Sequence, residues 1–458
     1  MKIVILGCGQ VGGSVAASLA RERNDVTIVD LDAVKLRELQ DKFDLRGVVG
    51  NASHPDVLSR AGAEDADMLI AVTSADEINM VACQVAYTIF KTPLKIARVR
   101  AQEYLNYPQL FTGDNRAIDV LISPEQLVVQ HVRRLIEYPG ALQILDFAGG
   151  RAQMVAVRAY PDAPLVGHEL KTLRNHLPAG VDTRAVSIFR RGRPIEPTGD
   201  TRIEVDDVVF FFAAKRDIKA AIGELRRVEG PVRRVILAGG GNIGLNLAKS
   251  LEEDCYVKVI ERSRDRARVI AEQLERAIVL VGDAADEDLL REENIDQTDV
   301  FCALTNDDEA NVLSAMLAKR MGANRVLSLI NRPAYADLVE TNVIDVAVSP
   351  QQVTLGALLT YVRRGHVVRV HSLRRGAAEA IEVIAHGDRR SSKVVGRTIE
   401  EIELPPGTTI GGIVRGEKVL IAHHNIKVES DDHVVLFVND KRHLRTIEQL
   451  FQVSAAFV

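Results

Sequence analysis

Cysteine is scarce. Its four copies, at positions 8, 83, 255 and 302, stand far apart, and no two form a CxxC pair. That spacing offers neither a zinc site nor a disulfide framework, so the four are expected as small buried residues. Long apolar runs are also missing: the most conspicuous, Val208 to Ala214, falls far short of the roughly 20 residues that a membrane-crossing helix needs. The opening MKIVILGCGQ reaches a glycine at position 7 and has no signal-peptide core. The expected location is therefore cytoplasmic, with any membrane association peripheral. There is no cationic excess to draw nucleic acid either, since 58 basic residues face 63 acidic ones for a net charge of −5. No nucleic-acid partner is expected. Disorder is excluded by a hydrophobic share of 47%, which leaves ample apolar surface for true cores.

A catalytic constellation is absent as well. A hydride-transferring enzyme usually sets His, Lys or Tyr beside its cofactor. Residues 231–365 hold no histidine, and residues 1–140 hold only His54 and His131, neither matched in the other half. His423 and His424 are adjacent, so on a strand they face opposite ways and share no metal.

What is present is a repeat spanning almost the whole chain. Gly7-Cys8-Gly9-Gln10-Val11-Gly12 recurs as Gly239-Gly240-Gly241-Asn242-Ile243-Gly244. Gly50, Thr73, Glu77 and Asn79 return at the same offset as Gly282, Thr305, Glu309 and Asn311, and Asp30 returns as Glu261. Ser123-Pro124-Glu125-Gln126 recurs as Ser349-Pro350-Gln351-Gln352, and Glu204-Val205-Asp206-Asp207 as Glu429-Ser430-Asp431-Asp432. A duplicated unit sets the domain count. Glycine and proline near 140, 231 and 366 divide the chain into 1–140, 141–230, 231–365 and 366–458.

In the first unit, Lys2 to Leu6 reads as a strand, residues 10–22 as a helix and Val26 to Asp30 as a second strand. Further buried strands at Val48-Val49, Met68 to Thr73 and Lys95 to Val99 give an α/β class with a doubly wound, Rossmann-like parallel sheet, and the second unit repeats the order. Segments 142–225 and 367–451 alternate with a short period, turn at Arg191-Gly192-Arg193-Pro194 and Pro405-Pro406-Gly407, and end in a helix. Each is expected as a small α+β module.

A lone GxGxxG is a weak signal. Here each copy follows a predicted strand, opens a helix and precedes an acid that ends the next strand, which is the setting of a dinucleotide site. Asp30 and Glu261 can accept hydrogen bonds from an adenosine ribose, a choice that favours NAD(H) over its 2′-phosphorylated form. Thr73 and Ser74 are expected at the carboxyl end of the fourth strand, where open α/β sheets bind ligands. Arg98 and Arg100 sit two apart, expected on one strand face and within reach of phosphate, with a surface ion pair as the plainer alternative. Leu329 takes the place of Arg98 in the second copy, where only Asn331-Arg332 is near, so a triphosphate is expected at the first copy rather than the second. Arginine doublets at 133/134, 190/191, 226/227, 233/234, 363/364, 374/375 and 389/390 read as solvated helix ends and turns, the alternative being contact with an acidic membrane protein or anionic headgroups.

Taken together, the two glycine motifs, the segments Asp76-Glu77-Ile78-Asn79 and Asp308-Glu309-Ala310-Asn311, and the small tails resemble, over essentially the full length, the RCK (KTN) family that regulates potassium conductance. The resemblance implies a non-enzymatic peripheral protein, a homotetrameric ring on the cytoplasmic face of the inner membrane beneath a potassium-translocating integral membrane subunit. It would gate that subunit in response to NAD(H), with ATP or ADP as further ligands. By the same resemblance Gly7, Cys8, Gly9, Gln10, Val11, Asp30, Thr73, Ser74 and Arg98 form one site, and Gly239, Gly240, Gly241, Asn242, Ile243 and Glu261 the other. Asn51 departs from the acid that Asp283 keeps after the third strand, which puts the adenine contacts of the first unit in doubt. The rival readings are a tandem NAD-dependent oxidoreductase and a soluble NAD-binding scaffold.

Overall fold

The computed structural model describes residues 1–22, 24–112, 116–226, 230–332, 335, 344–362, 367–373, 378–423 and 425–453. The expected boundary at 366, Arg227, the doublets 363/364 and 374/375, and His424 lie outside them. The chain divides into two compact units, residues 1–128 with 350–358, and residues 129–349 with 359–458.

In the first unit, β1 (Lys2–Leu6), β2 (Asp25–Asp30), β3 (Arg46–Val49), β4 (Met68–Ala71), β5 (Leu94–Arg98) and β6 (Val120–Ile122) form a parallel sheet in the order β3-β2-β1-β4-β5-β6. β1 from Ile3 onward and all of β4 are buried, as expected for central strands covered on both faces. The helix Gln10–Arg21 turns Val15, Ala16 and Leu19 inward. The helix Ala33–Gln40 is capped by Asp32, whose side chain accepts from the N–H groups of Val34 and Lys35. Strand order reverses between β1 and β4, so the crevice at their carboxyl ends is the place where this topology binds ligands.

The second unit contains three sheets among the described residues. β7 (Ala141–Phe147), β8 (Ala152–Arg158), β9 (Thr183–Arg190), β10 (Arg193–Ile195) and β11 (Val208–Ala214) form an antiparallel sheet ordered β10-β9-β11-β8-β7, followed by the helix Ile218–Gly223. β12 (Arg234–Ala238), β13 (Tyr256–Glu261), β14 (Ile278–Val281), β15 (Val300–Ala303), β16 (Arg325–Leu329) and β17 (Val346–Val348) repeat the parallel order as β14-β13-β12-β15-β16-β17. β18 (Val367–Leu373), β19 (Ala378–Ile384), β20 (Thr408–Arg415), β21 (Lys418–Ile421) and β22 (His433–Val438) form the last antiparallel sheet, ordered β18-β19-β22-β20-β21, and the helix Leu444–Leu450 follows.

The two antiparallel sheets share one apolar core, in which Phe147, Phe210 and Phe212 meet Leu373, Val435 and Phe437. A Cβ at Gly412 would lie 2.2 Å from the Phe212 ring, so only glycine admits that close packing. The turn between β9 and β10 has positive φ at both Arg191 (49°) and Gly192 (79°), the geometry of a tight hairpin. The repeated Asp-Asp segments have a structural purpose. Asp207 is wholly buried and gripped by Arg190 at 2.9 and 2.8 Å; Asp432 is gripped in the same way by Arg415 at 2.8 Å through both nitrogens. Bidentate pairing offsets the cost of burying each carboxylate.

Two doublets are therefore more than solvated turns, since Arg190 holds Asp207 and Arg134 pairs with Asp146 at 2.7 Å. Arg325 is buried at the start of β16, and its Nη1 donates to the Leu135 carbonyl at 2.6 Å while Nη2 donates to that of Ala141. Burial lowers its pKa to about 10. Cys8, Cys83 and Cys302 are buried and Cys255 is partly exposed; all four are free thiols. No helix among the described residues is long and apolar enough to cross a membrane.

Candidate functional site

Each parallel sheet ends its first strand in the same glycine loop, and the first and third glycines of each are fixed by different steric facts. Gly7 has φ +102°, and a Cβ there would lie 2.9 Å from the Thr73 backbone; Gly239 has φ +108° and sits equally close to Thr305. Gly12 and Gly244 begin the helix packing, where a Cβ would fall 1.9 and 2.0 Å from the carbonyls of Gly7 and Gly239. Gly9 and Gly241 are different: a Cβ at either would meet nothing within 4 Å. Both precede helices, Gln10–Arg21 and Asn242–Leu251, that have no side-chain cap. The first-turn N–H groups, together with the positive end of the helix dipole, are thus left for an anion. An open approach over the middle glycine and unshared donors behind it fit a dinucleotide pyrophosphate.

Gly9, Gln10, Gly241 and Asn242 are exposed, whereas Cys8 is buried. Burial, then the Asp30 charge, pushes the Cys8 thiol up to about 11, so it stays protonated at neutral pH. Its backbone is what matters at the loop. The Cys8 N–H donates to Asp30 Oδ2 at 2.5 Å and the Asp32 N–H to Oδ1 at 2.9 Å. In the second loop the Gly240 N–H donates to Glu261 Oε2 and the Ser263 N–H to Oε1, both at 2.8 Å. Each acid is therefore held at the loop by backbone donors on both oxygens. Gly240 takes the place of Cys8, and a Cβ there would lie 2.4 Å from the end of the Ile270 side chain and 3.0 Å from Glu261 Oε2. Past the third strand, Asn51 accepts from the Ser53 N–H at 3.0 Å, and Asp283 accepts from the Ala285 N–H at 2.9 Å.

At the carboxyl edge, Thr73 and Ser74 lie beyond β4, which ends at Ala71, because the chain has already turned toward the next helix. Thr73 is committed internally: its N–H and hydroxyl both donate to Asn79 Oδ1, at 2.9 and 2.7 Å. Asn79 in turn donates to the carbonyl of Arg98 at 2.9 Å. The second copy keeps this clamp, with Thr305 donating to Asn311 at 2.9 and 2.7 Å and Asn311 donating to the Leu329 carbonyl at 3.1 Å. Asp76 and Asp308 add a second tie by accepting from the backbone N–H groups of Arg100 and Ala101, and of Asn331 and Arg332.

Arg98 closes β5, but Arg100 lies past the strand, so the expected shared strand face does not apply to it. The guanidiniums nevertheless converge on one edge. Arg98 Nη2 donates to the Thr73 carbonyl at 2.6 Å, and Arg100 Nη2 donates to that of Ser74. Burial, then the neighbouring Arg100 charge, holds the Arg98 pKa below its usual value. The Nε of each arginine is buried without a hydrogen-bond partner. In the second copy the same place is filled by Leu329, which is buried and apolar. The clamp residues Asn79 and Asp76 stand in the repeat but were not expected at the site; their recurrence as Asn311 and Asp308 is the signal the sequence offers. His423 lies past β21, and its Nε2 is 2.8 Å from Asp182 Oδ2.

Comparison with known proteins agrees with this geometry. The TrkA-N domain model matches residues 3–124 and 235–350, and the TrkA-C domain model matches residues 154–225 and 389–452. The Trk system potassium uptake protein TrkA of Halomonas elongata is 62% identical over 100% of both chains, and that of Vibrio alginolyticus is 60% identical over 100% of both. Among solved structures, the GsuK RCK domain aligns with a TM-score of 0.61 at 18% identity, covering 98% of this chain and 94% of that one. The GsuK channel bound to NAD aligns with a TM-score of 0.61 at 17% identity, covering 98% and 78%. The structural likeness shows the RCK fold, and the sequence identity goes further: this chain belongs to the Trk system potassium uptake protein TrkA family.

Proposed function

We propose that the chain is the nucleotide-sensing regulatory subunit of a Trk-type potassium uptake system. It binds NAD(H) at both glycine loops, and ATP or ADP at the first, where Arg98 and Arg100 supply cations. The observation that carries this reading is the conjunction, in both copies, of an open middle glycine, an uncapped helix start and an acid held at the loop. In this reading Gly7 to Val11, Asp30, Thr73, Ser74 and Arg98 make the first site, and Gly239 to Ile243 with Glu261 the second.

The cofactor acts as a ligand, not a reactant. Subunits assemble as a homotetrameric ring on the cytoplasmic face of the membrane, and nucleotide binding shifts the population of ring conformations that pull on or release a potassium-translocating integral membrane subunit. A coupling of about 1 to 3 kcal/mol is enough for a roughly 5- to 150-fold change in such an equilibrium. The test is potassium flux through the membrane subunit in vesicles with this protein added. Nucleotide should change the flux while NADH absorbance stays flat. Steady NADH consumption dependent on a small organic substrate, with flux indifferent to nucleotide, would replace this reading with the oxidoreductase one.

A further inference from the structure

Beside Glu261 the second loop carries Arg262 and Arg264, where the first carries Leu31 and Ala33 beside Asp30. Arg262 follows the acid directly; its side chain is 85% exposed and lies 3.3 Å from Asp283. The helix Arg264–Ala271 then places Arg264 and Arg268 four residues apart on one face. Arg268 is exposed and lies 3.4 Å from Glu272. Arg266 rests on the loop itself, its Nε donating to the Gly240 carbonyl at 3.0 Å. In the first copy the residue after the acid is the exposed Leu31, the helix cap is the further acid Asp32, Lys35 pairs with that acid at 3.3 Å, and Lys35 and Arg37 stand where the second copy has Arg266 and Arg268.

This is the ribose end of a dinucleotide site. There, an acid reads the ribose hydroxyls and a neighbouring guanidinium is the group that takes a phosphate on the 2′ oxygen. The charge on Glu261 opposes such a phosphate, yet both of its oxygens already accept backbone N–H groups at 2.8 Å, which spreads and fixes that charge. The pairs of Arg262 and Arg268 are exposed, and solvent-screened pairs of that kind are weak, so a dianion can displace them. We propose that the second site accepts a dinucleotide phosphorylated at the adenosine 2′ position, NADP(H), and that its NADP-to-NAD affinity ratio exceeds that of the first site. The inference rests on the reading of residues 239–261 as a dinucleotide site.

Calorimetry on the full chain tests it. Gly9→Val closes the first site, and NAD+ and NADP+ are titrated separately into that variant. Both should bind, and adding Arg262→Leu with Arg268→Ala should weaken NADP+ by about tenfold or more while NAD+ changes by less than about twofold. Conversely, Leu31→Arg in a chain whose second site is closed by Gly241→Val should strengthen NADP+ binding at the first site. Binding of NAD+ without NADP+, or an equal loss of both on removing the arginines, overturns the inference and leaves the dinucleotide reading intact. If neither ligand binds the Gly9→Val chain, the second loop is not a dinucleotide site, and both readings fall.

Discussion

The two glycine loops share a backbone and differ in what surrounds it. Gly7 and Gly239, Gly12 and Gly244, and the clamps Thr73–Asn79 and Thr305–Asn311 coincide almost to the tenth of an ångström. At the edge of the crevice the first copy has Arg98 where the second has Leu329, and after the acid the first has Leu31 where the second has Arg262. The difference separates two kinds of constraint. Positions where any Cβ would collide with backbone stay fixed in both copies, because no substitution leaves the loop intact. Positions free of that backbone constraint, such as Arg98 and Leu329 or Leu31 and Arg262, differ between the copies.

The largest effect should come from removing the feature that the copies share. Gly9→Val together with Gly241→Val places a β-branched side chain over both loops and should abolish the nucleotide response of potassium flux. Circular dichroism should show the variant folded, because nothing lies within 4 Å of either position. A surviving response would mean that nucleotide acts elsewhere.

A smaller effect should follow from making the first copy resemble the second at its edge. Arg98→Leu should weaken ATP or ADP binding by about 10- to 150-fold, the range expected for losing hydrogen bonds to a charged group. A change at the matching position, Leu329→Ala, should leave ATP affinity at the first site unmoved. Equal losses from both would erase the asymmetry between the sites.

The smallest effect should be the same in both copies. Asn79→Ala and Asn311→Ala each leave the Thr73 or Thr305 N–H without its acceptor and the Arg98 or Leu329 carbonyl without its donor, so each should cost about 1 to 3 kcal/mol of stability in denaturant unfolding. A large difference between them would show that the clamps, despite matching distances, carry unequal load.

Much of this was legible in the sequence because its causes are local. The glycine spacing, the acid ending the second strand and the Arg191-Gly192 turn each depend on a few consecutive residues. The exact strand ends were less legible, which is why Thr73, Ser74 and Arg100 fall past the strands that should have held them. What could not be read was pairing at a distance. Arg190 with Asp207, Asn79 with the Arg98 carbonyl, and Arg325 with the carbonyls of Leu135 and Ala141 depend on the sheet topology that brings them together. No residue local to Arg325 signals that it is buried; the fold does that.

The central claim is that the chain holds two separate nucleotide sites, each with its own acid. Calorimetric titration of NAD+ into the full chain tests it most directly, repeated with Asp30→Ala and with Glu261→Ala. Two binding events are predicted, the first variant weakening one and the second variant the other, by about 1.5 to 3 kcal/mol each. A single event that neither variant changes would contradict the account.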